Sequence, residues 1–199
     1  MNDQSRAVNS GTVIRESPTK MNIFSIGHST HPIEQFLGLL AEQDIESLAD
    51  IRRFPSSRKF PQFNQDQLAS AVQLAGIEYH WLESLGGRRS ERPSESSTAN
   101  LGLRNASFRN YANYMLTVEF EEGVARLLEI ARSKQTAMMC AESLFWRCHR
   151  RLVSDFLLAK GVAVQHIFPD WSVQPHQLTD GAIIESGHVT YPGEKSLFS

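Results

Sequence analysis

Residues 140–150 read Cys-Ala-Glu-Ser-Leu-Phe-Trp-Arg-Cys-His-Arg, so both cysteines of the chain share eleven positions with a carboxylate, an imidazole and two guanidinium groups. Three chemistries suit that set. A cysteine near a helix N-terminus and beside arginine or histidinium has its thiolate favoured, which makes Cys140 or Cys148 a candidate nucleophile with His149 or Glu142 as proton-transfer partner. A second reading pools Cys140, Cys148 and His149, with His28, as ligands for zinc, although their spacing differs from the usual short C-x-x-C pairs. A third gives Glu142 the role of acid or base, with His28 polarising or orienting the substrate and the cysteines lining the pocket. Each has a plainer counterpart. Cys148 shares a helical face with Leu152 and is a candidate small core residue, and His28 can equally be a structural histidine capping the next helix.

Arginines cluster near these groups. Arg52, Arg53, Arg58, Arg88, Arg89, Arg147 and Arg150 fall in or beside the same loops, and a guanidinium fork matches phosphate or carboxylate bidentately as lysine does not. An anionic ligand is the economical reading; pairing with Asp50, Glu83 and Glu142 in a structural ion-pair network is the alternative. Phe54, Phe60, Phe63, Tyr79 and Trp81 lie among the basic residues, where aromatic faces can stack bases, though most of them fit the core as well. His80, His166 and His176 carry no comparable context.

The elements that position these residues follow from periodicity. Order is expected from Met21, with a strand at Asn22 to Gly27, a helix from Pro32 to Gln43, and a strand at Ser47 to Ile51. A second helix from Asn64, a good N-cap, to Gly76, a good stop, leads to a strand at Ile77 to Trp81. The polar run from Arg88 to Asn100 reads as a mobile loop and a candidate lid. One or two helices follow between Phe108 and Ser133, broken near Val118 or Gly123. A buried strand at Thr136 to Cys140, a helix from about Trp146 to Lys160 and a strand at Val162 to Phe168 complete the alternation. Residues 181–191 alternate apolar and polar around Ser186-Gly187, the pattern of a β-hairpin.

Strands alternating with helices imply an α/β fold, a single domain over residues 21–199 with a mainly parallel sheet flanked by helices on both faces, plus the small C-terminal hairpin. Residues 1–20, polar and without period, read as a disordered tail. In a parallel sheet the loops after the strands share one edge. That edge collects His28 and Ser29 after the first strand, and Asp50, Arg52 and Arg53 after the second. Gly86, Gly87 and Arg88 follow the third strand, Cys140 and Glu142 the fourth, and Arg150 enters with the helix beyond. The opposite edge holds ordinary connectors such as Ala75-Gly76 and Lys160-Gly161. One-sided loading of this kind marks a functional edge.

Composition narrows the class. A net charge of −2 and a sequence pI near 6.4 argue against retention on nucleic acid by bulk charge, while leaving room for a local basic patch. No apolar stretch approaches the roughly 20 residues that span a bilayer, and the first 20 residues lack the apolar core of a secretory signal. A cytoplasmic protein with free or ligating thiols is expected. No cofactor is named by any motif.

Taken as a set, Ser25-Ile-Gly-His-Ser, Asp50-Ile-Arg-Arg-Phe-Pro, Leu85-Gly-Gly-Arg, Phe108-x-x-Tyr111-Ala112 and Cys140-Ala-Glu142 followed by Cys148-His149-Arg150 resemble the domain of unknown function 488 (DUF488) family over about residues 22–192. The resemblance implies a compact cytosolic α/β domain whose Gly-His-Ser, Asp-x-Arg and Cys-x-Glu…Cys-His-Arg positions carry the family's activity, and it implies no particular reaction. It also makes the Arg88–Asn100 loop a point of length variation. The residues lead to an enzyme acting on a phosphate-bearing substrate, a nucleotide or a nucleic-acid base, with Cys140, Glu142, Cys148, His149 and His28 for chemistry. Ser29, Asp50, Arg52, Arg53, Gly86, Gly87, Arg88 and Arg150 are the expected substrate-binding set. The competing class is a non-catalytic module that binds an anion, nucleic acid or a metal.

Overall fold

Strand and helix alternate as the periodicity predicts in the computed structural model, which describes residues 21–90 and 99–193. The tail expected at residues 1–20 and the middle of the serine-rich loop lie outside the described residues. The order is β1 (Asn22–Gly27), α1 (Ile33–Ala41), β2 (Ser47–Asp50), α2 (Gln65–Leu74), β3 (Glu78–Trp81), α3 (Ala106–Tyr114), α4 (Val118–Ser133), β4 (Thr136–Cys140), α5 (Arg150–Ala159), β5 (Ala163–Ile167), β6 (Val173–Pro175) and the hairpin β7 (Ile183–Glu185) and β8 (His188–Thr190). Short 3₁₀ turns precede α2 and α5 and follow β3.

Six strands form one sheet in the order β3-β2-β4-β1-β5-β6, parallel except for the antiparallel edge strand β6. β7 and β8 make a separate two-stranded sheet. β2 and β4 are buried throughout, and five of the six residues of β1 are, which is why their sequences read as apolar runs rather than alternations.

Each face carries its own core. One includes Phe36, Leu39 and Leu40 of α1 and Leu68 and Val72 of α2. The other includes Tyr111 of α3, Phe120, Val124 and Leu127 of α4, and Leu152 and Phe156 of α5. Helices leaving β1 and β2 therefore cover one face, and the helix leaving β4, which lies between those strands, covers the other. Loops that diverge from adjacent parallel strands in this way open a crevice at the carboxyl ends of the strands.

Local chemistry sets the helix ends. Asn105 caps α3 by accepting from Ser107 N at 2.8 Å, and Thr117 caps α4 through Phe120 N at 3.4 Å. Asn64 occupies the expected N-cap position of α2, yet its side chain accepts from Ser57 N at 2.6 Å and ties down the loop after β2 instead. The last helix starts at Arg150, four residues later than the periodicity suggests, because Phe145–Arg147 form a 3₁₀ turn. Cys148 and His149 thus sit in the turn before α5 and not on its first turn.

Candidate functional site

The crevice is stitched together by main-chain bonds that extend the ladder past the strands. His28 N donates to Cys140 O at 2.9 Å, Ser29 N to Ala141 O at 3.0 Å, and Ile51 N to Met139 O at 2.9 Å. Gly27 permits this closeness: a Cβ there would stand 2.0 Å from the carbonyl oxygen of Glu142. Above these loops opens a cleft of about 740 Å³, lined among others by His28, Ser29, Arg52, Gly87, Cys140, Glu142, Cys148 and His149. Ser29 (φ 49°) and Arg88 (φ 57°), both on its wall, hold left-handed backbone that non-glycine residues seldom adopt.

At the cleft floor the imidazole of His149 is fixed at both nitrogens. Nε2 lies 3.1 Å from Ile51 O, and since a carbonyl only accepts, Nε2 carries a proton. Nδ1 then faces the sulfurs, 3.5 Å from Cys148 Sγ and 3.9 Å from Cys140 Sγ. The three atoms lie within 4.8 Å of one another. Tyr111 packs its ring 5.0 Å from that of His149 and anchors its hydroxyl on Leu85 O. Gly87 leaves room on the remaining side, where a Cβ would approach Nδ1 to 2.8 Å.

The two thiols are unequal. Burial raises the Cys148 thiol, but a hydrogen bond from Cys140 and the proximity of His149 and Arg150 outweigh it and hold Cys148 well below the usual thiol range. Donation to Cys148, together with burial, pushes Cys140 well up. Both are buried and neither is in a disulfide.

Beside the cluster, Asp50 and Arg52 form a buried bidentate pair. Arg52 Nε donates to Oδ1 at 2.9 Å and Nη2 to Oδ2 at 2.6 Å, while Tyr79 Oη donates to Oδ2 at 2.8 Å. Burial works against the Arg52 cation, and the bonds to Asp50 more than offset it, raising its pKa. Arg52 Nη1 donates to Phe63 O at 2.7 Å and toward His28 Nε2 at 3.3 Å, and His28 Nδ1 donates to Ser29 O at 3.0 Å. Burial, then the charge of Arg52, lowers His28 to a pKa of about 4, so a neutral ring stacked 4.2 Å from Phe63 helps to hold Arg52.

The expected substrate-binding residues divide by position. Ser29, Arg52, Arg53, Gly87 and Arg88 line the cleft; Asp50, fully buried, does not reach it and acts through Arg52. Gly86 abuts the backbone of Arg53, where a Cβ would clash at 2.7 Å. Arg150 is buried beneath the cleft, its Nη1 donating to Ser25 Oγ at 3.0 Å and its Nη2 to the carbonyls of Glu142 and Ser143. It shapes the Cys140–Ser143 turn from below. Arg89 is spent on Gly86 O and Ser84 O and stacks 3.7 Å over Tyr114. Glu142 lies exposed on the cleft wall, and its carboxylate makes no ion pair among the described residues.

Of the aromatic residues, Phe54 and Phe60 line the cleft, Phe63 is core, and Tyr79 and Trp81 bind Asp50 and the Arg52 carbonyl instead. Arg147, Phe108 and Tyr111 also reach the cleft. Phe108 and Tyr111 were visible in the sequence only as a motif spacing, since α3 joins the site from the opposite face of the sheet. His166 and His176 are not idle either: His176 Nε2 donates to Asp155 Oδ1 at 2.9 Å and His166 Nε2 to His176 Nδ1 at 2.9 Å, deep in the protein.

A family model described as Domain of unknown function DUF488 matches residues 32–157 of the 199-residue chain. The match includes Asp50–Arg53, Gly86–Arg88 and all of residues 140–150, and begins after the Gly27-His28-Ser29 loop. No curated protein and no solved structure matches the chain. No helix among the described residues is long and apolar enough to cross a membrane.

Proposed function

The chain belongs to the DUF488 family, and we propose that it is an enzyme acting on a phosphate-bearing substrate, a nucleotide or a nucleic-acid base, in the cleft over the ends of β1, β2 and β4. One observation carries this reading: the Cys140–Cys148–His149 cluster and the guanidiniums of Arg53, Arg88 and Arg147 line the same cleft. Arg52 is neutralised by Asp50, so among the described lining residues the three other arginines face one carboxylate, that of Glu142, and give these residues a net positive charge. A phosphate suits them through charge-assisted bonds. Phe54, 59% exposed beside Arg53, offers a flat face for a base, and Phe60 and Phe108 are further aromatic residues of the same cleft.

In this reading the thiol–imidazole cluster faces the reacting atom, and the exposed Glu142 exchanges protons with it. His28, Asp50 and Arg150 position the neighbouring loops from beneath. Thermal-shift measurements over nucleoside monophosphates, sugar phosphates and short oligonucleotides test it, because a ligand of the native state raises the melting temperature. Nucleotides are expected to stabilise the chain more than sugar phosphates do. Removing Arg88 and Arg147 together is expected to abolish the shift, at roughly 1.5 to 3 kcal/mol for each bond lost to a charged group. Absence of any shift across all three ligand sets would refute the reading.

A further inference from the structure

We infer that Cys140, Cys148 and His149 form a binding site for one zinc-class divalent transition metal, held by two sulfurs and Nδ1, with its fourth position facing the cleft. The distances carry this. Zn–S bonds of about 2.3 Å and Zn–N bonds of about 2.0–2.1 Å in a tetrahedron place sulfur and nitrogen about 3.6 Å apart and two sulfurs about 3.8 Å apart. Here Nδ1 lies 3.5 and 3.9 Å from the sulfurs, and all three atoms fall within 4.8 Å of one another. Both sulfur–nitrogen edges stand at the spacing of a tetrahedral face, and the two sulfurs lie within 4.8 Å, close enough for one ion to bridge.

The outer contacts agree. A metal-bound histidine usually donates its other ring N–H to a carbonyl or carboxylate, which fixes the tautomer and aims the lone pair. His149 Nε2 has that bond to Ile51 O at 3.1 Å. The space beside Nδ1 is kept by Gly87, where a Cβ would come within 2.8 Å. Supports on three sides hold the ligands: Cys140 ends β4, Cys148 and His149 precede α5, and Tyr111 backs the ring from α3.

The donor count decides what kind of site it is. His28 is not a fourth ligand, because Nδ1 is bonded to Ser29 O and Nε2 receives Arg52. Glu142 stands outside the cluster. Three protein ligands and a side open to a cleft are the pattern of a catalytic zinc, whose fourth ligand is water, and structural zinc is closed by four. On binding, both sulfurs coordinate as thiolates, any proton still held by the pair passing to solvent, and their two negative charges balance the ion, with no change of oxidation state. This deepens the function proposed above and rests on it only for the cleft being where substrate binds.

The test uses the full chain kept reduced with a phosphine and purified without chelator. Elemental analysis is expected to find stoichiometric zinc. After the metal is stripped, cobalt(II) titration is expected to saturate at one equivalent, with a thiolate-to-cobalt charge-transfer band and the strong visible bands of a tetrahedral ion, both erased by zinc. Cys140→Ser, Cys148→Ser and His149→Ala should each weaken cobalt binding by more than the roughly 10- to 100-fold that loss of an outer-contact partner costs. Should a variant fail to fold, the native titration alone decides. A native chain that gives no charge-transfer band at stoichiometric cobalt, or only the weak bands of an octahedral ion, overturns the proposal. Nucleotide binding is measured separately on the metal-free chain, so failure of the metal site and failure of the anion site are distinguishable.

Discussion

His149 Nε2 donates to the carbonyl oxygen of Ile51 at 3.1 Å, so the imidazole that faces both thiols is aimed by the residue that follows β2. A side chain 98 positions away in the chain is thereby locked to the end of the adjacent strand. The bond determines which nitrogen meets the sulfurs and makes the cluster a property of the sheet edge rather than of one loop.

Gly87 is the most sensitive neighbour of that ring. Gly87→Ala puts a Cβ 2.8 Å from Nδ1 and 3.2 Å from Cγ, and the ring, held by Ile51 O and Tyr111, has nowhere to go without breaking a contact. Such overpacking is expected to cost about 1–3 kcal/mol in urea unfolding. It should also change the alkylation rate of the two cysteines in the native state. Unchanged stability with unchanged thiol reactivity would show that the ring is not held as described.

The Asp50–Arg52 pair supports the loop after β2. Asp50→Asn removes the carboxylate that meets three atoms of Arg52, including its backbone N–H, and leaves a guanidinium only 6% exposed without its counter-charge. Breaking one side of a buried pair of this kind costs about 3–5 kcal/mol. Equilibrium unfolding of the variant at neutral pH measures it, and a loss below about 1 kcal/mol would mean that water reaches and compensates Arg52.

Much of this edge was legible from local pattern. Cys140 through Arg150 are contiguous, and the apolar runs ending at Gly27, Asp50 and Cys140 finish side by side at one sheet edge once the strands are parallel. Which groups face the cleft was not legible. Arg150 looks in sequence like any arginine of a basic helix start, yet it is among the largest fully buried side chains of the described residues, and Ser25 of β1 and the carbonyls of Glu142 and Ser143 converge on it. The Asp155–His176–His166 chain was equally hidden: it joins α5, β5 and the segment after β6, and Thr179 N at 2.9 Å and Tyr191 Oη at 2.7 Å also donate to Asp155. None of those residues has an unusual neighbour within a turn of sequence. Partners brought together only by tertiary packing leave no periodic signature.

Glu142 separates catalysis from scaffold. Its carboxylate is exposed and holds no arginine among the described residues, so Glu142→Gln is expected to change stability by no more than about 0.5 kcal/mol, as at an ordinary surface site. If it manages protons for the cluster, turnover should fall by roughly 100-fold or more with ligand affinity retained. A fully active Gln variant would remove Glu142 from the chemistry and leave it as a charge on the cleft wall.

His166 gives the protein a predictable acid sensitivity. It stacks on Phe145 with ring centroids 3.5 Å apart, its Nε2 donates to His176, and its buried Nδ1 has no partner among the described residues. Burial, then the neighbouring His176 and Arg150, lowers its pKa from 6.5 to about 2. In the unfolded chain the same ring takes up its proton near 6.5. Between those values the unfolded state binds a proton that the folded state refuses, so stability falls as pH drops below about 6.5, by up to about 1.4 kcal/mol per pH unit. Above about pH 7 this residue contributes no slope. His166→Gln keeps a donor for His176 but cannot titrate, so its unfolding free energy should decline less steeply than that of the native chain between pH 7.5 and pH 5.5. Equal slopes for the two proteins would mean that His166 is protonated in the fold as readily as in the unfolded chain.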